Sequence, residues 1–235
     1  MILLRHRATL CVALLCLPLL GFSAEKAVLA PGYGPLQYTP PAAGTYALPP
    51  MGAAADGKVI NDAGEQLALH DLFGDKFVLL GFIYTRCSDI NGCPLASYVM
   101  KKVQNAVARD EELNTQLRLI SLSFDPESDT PEALGDYAMH FRRKGSDWRF
   151  LTTASDTALQ PILAGYGQWR QKNYDENGDY TGSMSHILRV FLVDRQGRIR
   201  NIYSTGFLDA DTVINDVRTL TIEESADQGA ASEMN

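Results

Sequence analysis

The chain of 235 residues contains little cysteine and carries fewer basic than acidic side chains. Two of its four cysteines, Cys11 and Cys16, lie in an N-terminal apolar run, so the rest of the chain holds only Cys87 and Cys93. Two cysteines exclude a disulfide-rich scaffold. The formal net charge of −7 disfavours binding to nucleic acid or to an anionic membrane surface. There is no internal repeat, and the length predicts one domain with its own core.

Residues 1–23 have the pattern of a secretory signal peptide. Arg5 and Arg7 precede an apolar run at 8–20, and small residues follow it. This combination is typical of proteins that are exported and then cleaved. We therefore expect cleavage after Ser23 and a mature protein in the periplasm or an equivalent exported compartment. If the segment is retained, it anchors the protein to a membrane, although the run is short for a spanning helix.

The two ends of the remaining chain differ in composition from its middle. Residues 24–57 are rich in Pro, Gly and Ala without helical or strand periodicity, which predicts an extended linker or a segment that lies over the domain. Residues 222–235 are acidic and poor in apolar side chains, which predicts a disordered tail. The domain itself is expected to span residues 58–221.

Within this domain the pattern alternates between strands and helices. Residues 77–84 (FVLLGFIY) are apolar without alternation, which predicts a central strand covered on both faces. Further strands are predicted at 58–60, 66–69, 117–124, 149–152, 187–193 and 198–204, and helices at 94–112, 131–143, 156–165 and 209–221. This order predicts an α/β, thioredoxin-like fold with an extra N-terminal hairpin and inserted strands.

The two remaining cysteines lie in the loop between the central strand and the next helix. Open α/β sheets place their sites at such carboxyl ends of buried strands. Five residues separate Cys87 from Cys93, and the Asn91-Gly92 turn signal between them can fold the two sulfurs toward each other. The pair either closes a small disulfide or binds one metal ion. Because Cys93 precedes Pro94 at the predicted helix start, its thiolate is expected to be favoured.

His186 completes a candidate metal site. It lies just before the predicted strand at 187–193 and after a polar, glycine-containing loop at 173–185. In a thioredoxin-like sheet this loop faces the cysteine loop, so the imidazole can approach both sulfurs. Two thiolates and one imidazole suit copper, because sulfur favours Cu(I) and nitrogen tolerates Cu(II). Zinc uses the same atoms but usually requires a fourth ligand.

Four stretches together resemble the Sco/SenC family of copper chaperones. These stretches are DLFGDKFVLLGFIYTRC at 71–87, the cysteine loop ending in Cys93-Pro94, SFDPESDTP at 123–131, and His186 followed by ILRVFLVDRQGRI. The resemblance covers residues 59–220, nearly the whole predicted domain. The family pattern spaces its cysteines by three residues and this loop by five, so we expect the copper affinity, the reduction potential or the choice between metal and disulfide to differ.

The resemblance implies a thioredoxin-like fold that binds one copper ion through Cys87, Cys93 and His186. Asp125 takes the family's acidic position, which implies that it lies beside the site and supports the ligands or weakly binds the ion. The implied role is assembly of the copper site of cytochrome c oxidase, by copper delivery or by reduction of cysteines on the target. The implied partners are a copper-accepting exported or membrane protein, such as an oxidase subunit, and a thiol reductant, with the protein acting as a monomer.

Two other functions stay open at this point. An exported thiol-disulfide oxidoreductase or peroxiredoxin-like enzyme would use Cys87 as nucleophile and Cys93 as resolving thiol, although common dithiol catalysts space their cysteines by two residues. A binding module with a structural disulfide is the other alternative. His186 separates these functions, because a structural disulfide does not need an imidazole.

Overall fold

The computed structural model describes residues 27–233, and the predicted signal peptide at 1–23 lies outside them. The strands are β1 (Gly52–Ala53), β2 (Lys58–Asn61), β3 (Gln66–Ala68), β4 (Phe77–Ile83), β5 (Leu117–Ser123), β6 (Trp148–Thr152), β7 (Arg170–Tyr174), β8 (Tyr180–His186), β9 (Arg189–Val193) and β10 (Arg198–Ser204). The α-helices are α1 (Cys93–Val107), α2 (Glu111–Gln116), α3 (Pro131–Phe141), α4 (Asp156–Gly165) and α5 (Ala210–Glu233). No helix in this range is both long enough and apolar enough to cross a bilayer.

The predicted central strand lies in the middle of a sheet with the order β1-β10-β9-β4-β5-β6-β2-β3. Strand β4 pairs in parallel with β5 and antiparallel with β9. Every residue of β4 and β5 is buried, as expected for strands that are covered on both faces. The chain leaves β4 at the edge where β5 also ends, so the cysteine loop and the segment after β5 lie side by side.

Helix α1 holds the cysteine loop against this sheet. Leu95, Val99 and Val103 recur at helical spacing and are fully buried, and the helix contacts β4, β5, α3 and α5. Pro94 occupies the first turn, where its missing N–H costs no hydrogen bond. The helix predicted at 94–112 is divided in two, because Asp110 caps a new helix by accepting a hydrogen bond from Leu113 N.

The polar loop predicted at 173–185 is a β-hairpin instead. Strands β7 and β8 form a separate two-stranded sheet, and the Asp175 carboxylate organises its turn by accepting from the backbone N–H groups of Asn177 and Asp179. The strands carry mostly half-exposed side chains, so they lack the apolar alternation by which strands are predicted. His186 is therefore the last residue of a strand and does not lie in a loop.

Helix α5 continues to Glu233, so the described residues of the segment 222–235, for which the sequence predicts a disordered tail, are helical. The first turn of the predicted tail has partners elsewhere in the fold. Glu223 forms an ion pair with Arg200 at 2.8 Å, and Glu224 forms one with Arg195. These arginines lie on and before β10, so the composition of the tail alone could not reveal them.

The described part of the proline-rich segment 24–57 lies against the domain. The Tyr46 hydroxyl donates to Asp216 at 2.6 Å, and Gly44 N donates to Thr219 at 3.1 Å. Strand β1 extends the sheet by pairing with β10. The segment contains one short 3-10 turn, Pro31–Tyr33, which contacts α1.

Candidate metal centre

The cysteine loop starts from a fixed point at the ends of two neighbouring strands. Asp129, fully buried, accepts hydrogen bonds from Thr85 N at 3.0 Å and Thr85 Oγ1 at 2.6 Å. It also accepts one from Ser123 Oγ at 2.6 Å. This carboxylate therefore joins the chain after β4 to the end of β5. Cys87 follows Thr85 by two residues, so its backbone leaves from a position with little freedom.

The two sulfurs occupy different environments. Cys93 begins α1 and is only 1% exposed, and its Sγ accepts a hydrogen bond from Tyr84 N at 3.4 Å. Cys87 is half-buried, and among the described residues it has no disulfide partner. Between them, Gly92 N donates to Asp89 O at 2.9 Å, which closes a turn in the loop. One sulfur is therefore fixed in the core, and the other is accessible.

His186 reaches the sulfurs from β8. Its Nε2 lies 3.6 Å from Cys93 Sγ, and its Nδ1 lies 3.1 Å from the carbonyl oxygen of Met184. A carbonyl can only accept, so in the neutral ring Nδ1 carries the proton and Nε2 keeps its lone pair toward the sulfurs; in the protonated ring Nε2 can donate to a thiolate. The ring packs against Tyr84 and Phe124, with centroids 5.7 and 5.2 Å away. These two aromatic residues were missed by sequence reasoning, because nothing marks them apart from ordinary core residues.

Cys87, Cys93 and His186 form one group of candidate ligands. Their two Sγ atoms and the imidazole nitrogen all lie within 4.8 Å of one another. Two soft sulfurs and one nitrogen fit copper in either common oxidation state. Within the described residues the structure thus brings together the three side chains predicted from the sequence.

Asp125, predicted beside the site, does not belong to this group. It is buried, and its carboxylate lies 3.1 Å from Nη2 of Arg86, the residue that precedes Cys87. Arg86 also donates to Ser128 at 2.5 Å. Direct binding of Asp125 to the metal thus has no support among these contacts, whereas an indirect role through Arg86 stays a prediction.

The thiols differ strongly in acidity. A hydrogen bond from the Cys93 thiol, opposed by burial and assisted by His186, lowers the pKa of Cys87 to about 4. Burial, together with the neighbouring Cys87, raises the pKa of Cys93 well above its usual value. The expectation that the helix start would favour the Cys93 thiolate is therefore wrong, because burial outweighs the helix dipole. Burial alone would lower the pKa of His186, but the hydrogen bonds to Cys87 and Met184 raise it.

An open groove borders the exposed side of the group. It has a volume of about 440 Å³ and is lined in part by Trp169, Asn173 and His186. Trp169 is 49% exposed. The imidazole is thus reachable from solvent, whereas Cys93 is closed off by the core.

Comparison with known proteins identifies the family. A family model described as SCO1/SenC matches residues 54–221, and the chain belongs to this family. It is 27% identical over 161 residues to the SCO1 protein homolog of Bacillus subtilis, and the aligned region covers 68% of this chain and 78% of that protein.

Two solved structures are similar over most of the chain. BsSco, described with a disulfide switch and as a member of the Sco family of cytochrome c oxidase assembly proteins, is 25% identical with a TM-score of 0.58 and covers 74% of this chain and 96% of its own. Arabidopsis thaliana ScoI with copper bound is 21% identical with a TM-score of 0.59 and covers 75% of this chain and 99% of its own. The predicted thioredoxin-like fold is thereby confirmed.

Proposed function

We propose that this protein is an exported copper metallochaperone that binds one copper ion through Cys87, Cys93 and His186. The observation that carries the proposal is the convergence of two sulfurs and one imidazole nitrogen within 4.8 Å. A purely structural cysteine pair needs no imidazole with its lone pair directed at the sulfurs. Copper-bound ScoI of Arabidopsis thaliana, which has the same fold, further supports the proposal.

The three ligands differ in protonation state and in exposure to solvent. Cys87, with its pKa of about 4, is a thiolate at neutral pH, whereas Cys93 must lose its proton when copper binds. Met184 holds the imidazole in the tautomer that ligates through Nε2. Because Cys93 is buried and Cys87 is half-exposed, an acceptor approaches from the Cys87 side and the groove.

We further propose that Asp125 supports this site from outside the ligand set. Its carboxylate holds the Arg86 guanidinium, and Arg86 is bonded directly to Cys87 along the chain. Asp125 therefore orients the start of the ligand loop without touching the ion. The contact orients Cys87 from outside the ligand set, as the Met184 carbonyl orients His186.

The partners follow from the family and from the N-terminal sequence. We propose that the acceptor is a copper-binding exported or membrane protein, such as a subunit of cytochrome c oxidase, in line with the description of BsSco. The signal-like residues 1–23 support delivery in the periplasm. A thiol reductant would return Cys87 and Cys93 to the copper-binding dithiol.

The proposal is tested by titrating copper into the reduced and the oxidised protein under anaerobic conditions. Both the ion and a Cys87–Cys93 disulfide need the same two sulfurs. The reduced protein should bind one copper ion per chain, and the oxidised protein should bind little. If the disulfide form binds copper as tightly as the dithiol form, the ligand set is wrong.

A thiol-disulfide oxidoreductase is the second candidate, because the acidic, half-exposed Cys87 beside a buried Cys93 suits a nucleophile and its resolving thiol. This function predicts that Cys87→Ser abolishes thiol exchange and that His186→Ala changes it only modestly. The metallochaperone predicts that His186→Ala greatly weakens Cu(II) binding. Measuring both activities on both variants separates the two candidates.

A further inference from the structure

The N-terminal segment is hydrogen-bonded to the loop between the two cysteines. The Asn91 side chain uses both of its polar atoms for this contact. Its Oδ1 accepts from Ala30 N at 2.8 Å, and its Nδ2 donates to the carbonyl oxygen of Val28 at 2.7 Å. The amide thus pairs with the backbone at 28–30 as a neighbouring strand would.

A second contact lies one residue earlier in the loop. The Tyr33 hydroxyl donates to the carbonyl oxygen of Ile90 at 2.5 Å, and the Tyr33 ring packs on Tyr98 of α1 with centroids 5.1 Å apart. We call residues 28–33 the strap. Its three hydrogen bonds reach two consecutive loop residues, Ile90 and Asn91.

The strap is also fixed to the body of the domain. Gly32 is buried, and a Cβ at this position would lie 2.3 Å from the carbonyl oxygen of Leu208. The backbone of the strap therefore approaches the domain more closely than any side chain would allow. Lys102 of α1 adds a hydrogen bond to the Gly32 carbonyl at 3.4 Å. Because the strap cannot follow a moving loop, it restrains the loop.

Disulfide formation requires this loop to move. A disulfide has a sulfur–sulfur distance of about 2.05 Å, far shorter than a non-bonded contact between thiols. Cys93 is held in α1 by the core and by Tyr84 N, so we infer that most of the displacement comes from Cys87 and the loop after it. The two sulfurs lie within 4.8 Å of each other as thiols. N–H···O hydrogen bonds normally have donor–acceptor distances of about 2.7–3.2 Å, so a loop displacement that brings the sulfurs to bonding distance strains the contacts of Ile90 and Asn91 with the strap.

We propose that the strap stabilises the dithiol over the disulfide, with Tyr33 and Asn91 as positioning residues that act through the shape of the loop. The inference rests on the proposed function in one respect: it takes the dithiol as the copper-binding state. The redox step is exchange with glutathione disulfide. The Cys87 thiolate and the Cys93 thiol together lose one proton and two electrons and form one sulfur–sulfur bond. Glutathione disulfide takes up the two electrons, this proton and one proton from solvent, and becomes two glutathione molecules.

The test is the thiol-disulfide equilibrium of the copper-free protein in glutathione buffers. Tyr33→Phe removes the hydroxyl and keeps the ring on Tyr98, and Asn91→Ala removes both amide contacts. Tyr38→Phe is the matched control, because Tyr38 lies in the same segment but its hydroxyl faces Thr212 at 3.4 Å. The equilibrium constant for disulfide formation should rise about fivefold in Tyr33→Phe, more in Asn91→Ala, and not at all in Tyr38→Phe.

In the double variant Tyr33→Phe/Asn91→Ala, the rise in the equilibrium constant for disulfide formation should be smaller than the product of the two single rises, because both substitutions act on one loop. An unchanged or lower constant in Tyr33→Phe, or an equal rise in Tyr38→Phe, would overturn the proposal. If Asn91→Ala does not fold, Tyr33→Phe decides alone. This experiment contains no copper, so a negative result would overturn the role of the strap without affecting the metallochaperone proposal. If the protein does not bind copper, the measured thiol-disulfide equilibrium is unaffected.

Discussion

Cys93 Sγ lies 3.6 Å from His186 Nε2, although 93 positions separate the two residues. The end of β8 brings the imidazole over the start of α1, and the residue just before Cys93 determines whether it fits. A Cβ at Gly92 would lie 2.9 Å from the same Nε2 and 3.0 Å from Asp89 Oδ2. Glycine at this position therefore leaves the space that the imidazole fills.

Replacement of Gly92 by alanine should displace the imidazole. We expect Cu(II) binding to weaken at least tenfold in Gly92→Ala, because the nitrogen ligand moves while both sulfurs stay, and Cu(I) binding to change less. Gly206→Ala is the control, since a Cβ there would meet nothing within 4 Å. Competition titrations with a copper chelator would measure both variants. Equal affinities in the two would show that the imidazole does not need this space.

The acidity of Cys87 predicts an unusual pH profile of thiol reactivity. In the copper-free dithiol protein, Cys87 has a pKa of about 4, so its alkylation by iodoacetamide should stay nearly level from pH 8 to about pH 5 and fall below that. His186→Ala should raise this pKa, because the hydrogen bond that the protonated imidazole donates to the Cys87 thiolate is lost. An alkylation rate that already falls steadily between pH 8 and pH 6 in the native protein would contradict the assigned contacts.

The same shift has a consequence for folding stability. The pKa of Cys87 is below its usual value of 9.0, so ionisation in the folded state adds stability that is complete above pH 9 and is lost as the pH falls toward 4. The free energies of unfolding of the copper-free reduced protein and of Cys87→Ser, measured in urea, should therefore become similar at low pH. A difference that is constant from pH 8 to 4 would contradict this sign.

Asp129 should matter more for stability than its distance from the ligands suggests. Asp129→Ala leaves three donors on Thr85 and Ser123 unpaired, which should cost about 2–4 kcal/mol in the free energy of unfolding. Asp71→Ala is the matched control, because Asp71 is exposed and accepts one backbone hydrogen bond; it should cost about 1 kcal/mol or less. Urea unfolding measures both. A similar decrease in the free energy of unfolding in the two variants would argue that the hydrogen bonds of Asp129 do not stabilise the connection between the ends of β4 and β5.

The sequence reveals the parts of the fold that rest on apolar pattern. Strands β4 and β5 are continuous apolar runs and lie where they were predicted, whereas β7 and β8 are polar and could not be recognised by alternation. The proximity of the three candidate ligands was predictable because the cysteine pair and His186 stand in recognisable motifs. The strap was not, because Asn91 binds backbone atoms of Val28 and Ala30, and such contacts leave no trace in side-chain chemistry.

The central claim is that Cys87, Cys93 and His186 together bind one copper ion, and X-ray absorption at the copper edge tests it most directly. The native protein should show two sulfur neighbours and one imidazole. His186→Ala should keep both sulfurs and lose the imidazole signal, and should cost about 1–2 kcal/mol of stability because the ring leaves Tyr84 and Phe124. His140→Ala, an exposed control on α3, should retain the full signal. Fewer than two sulfurs in the native protein, or an unchanged imidazole signal in His186→Ala, would contradict the account.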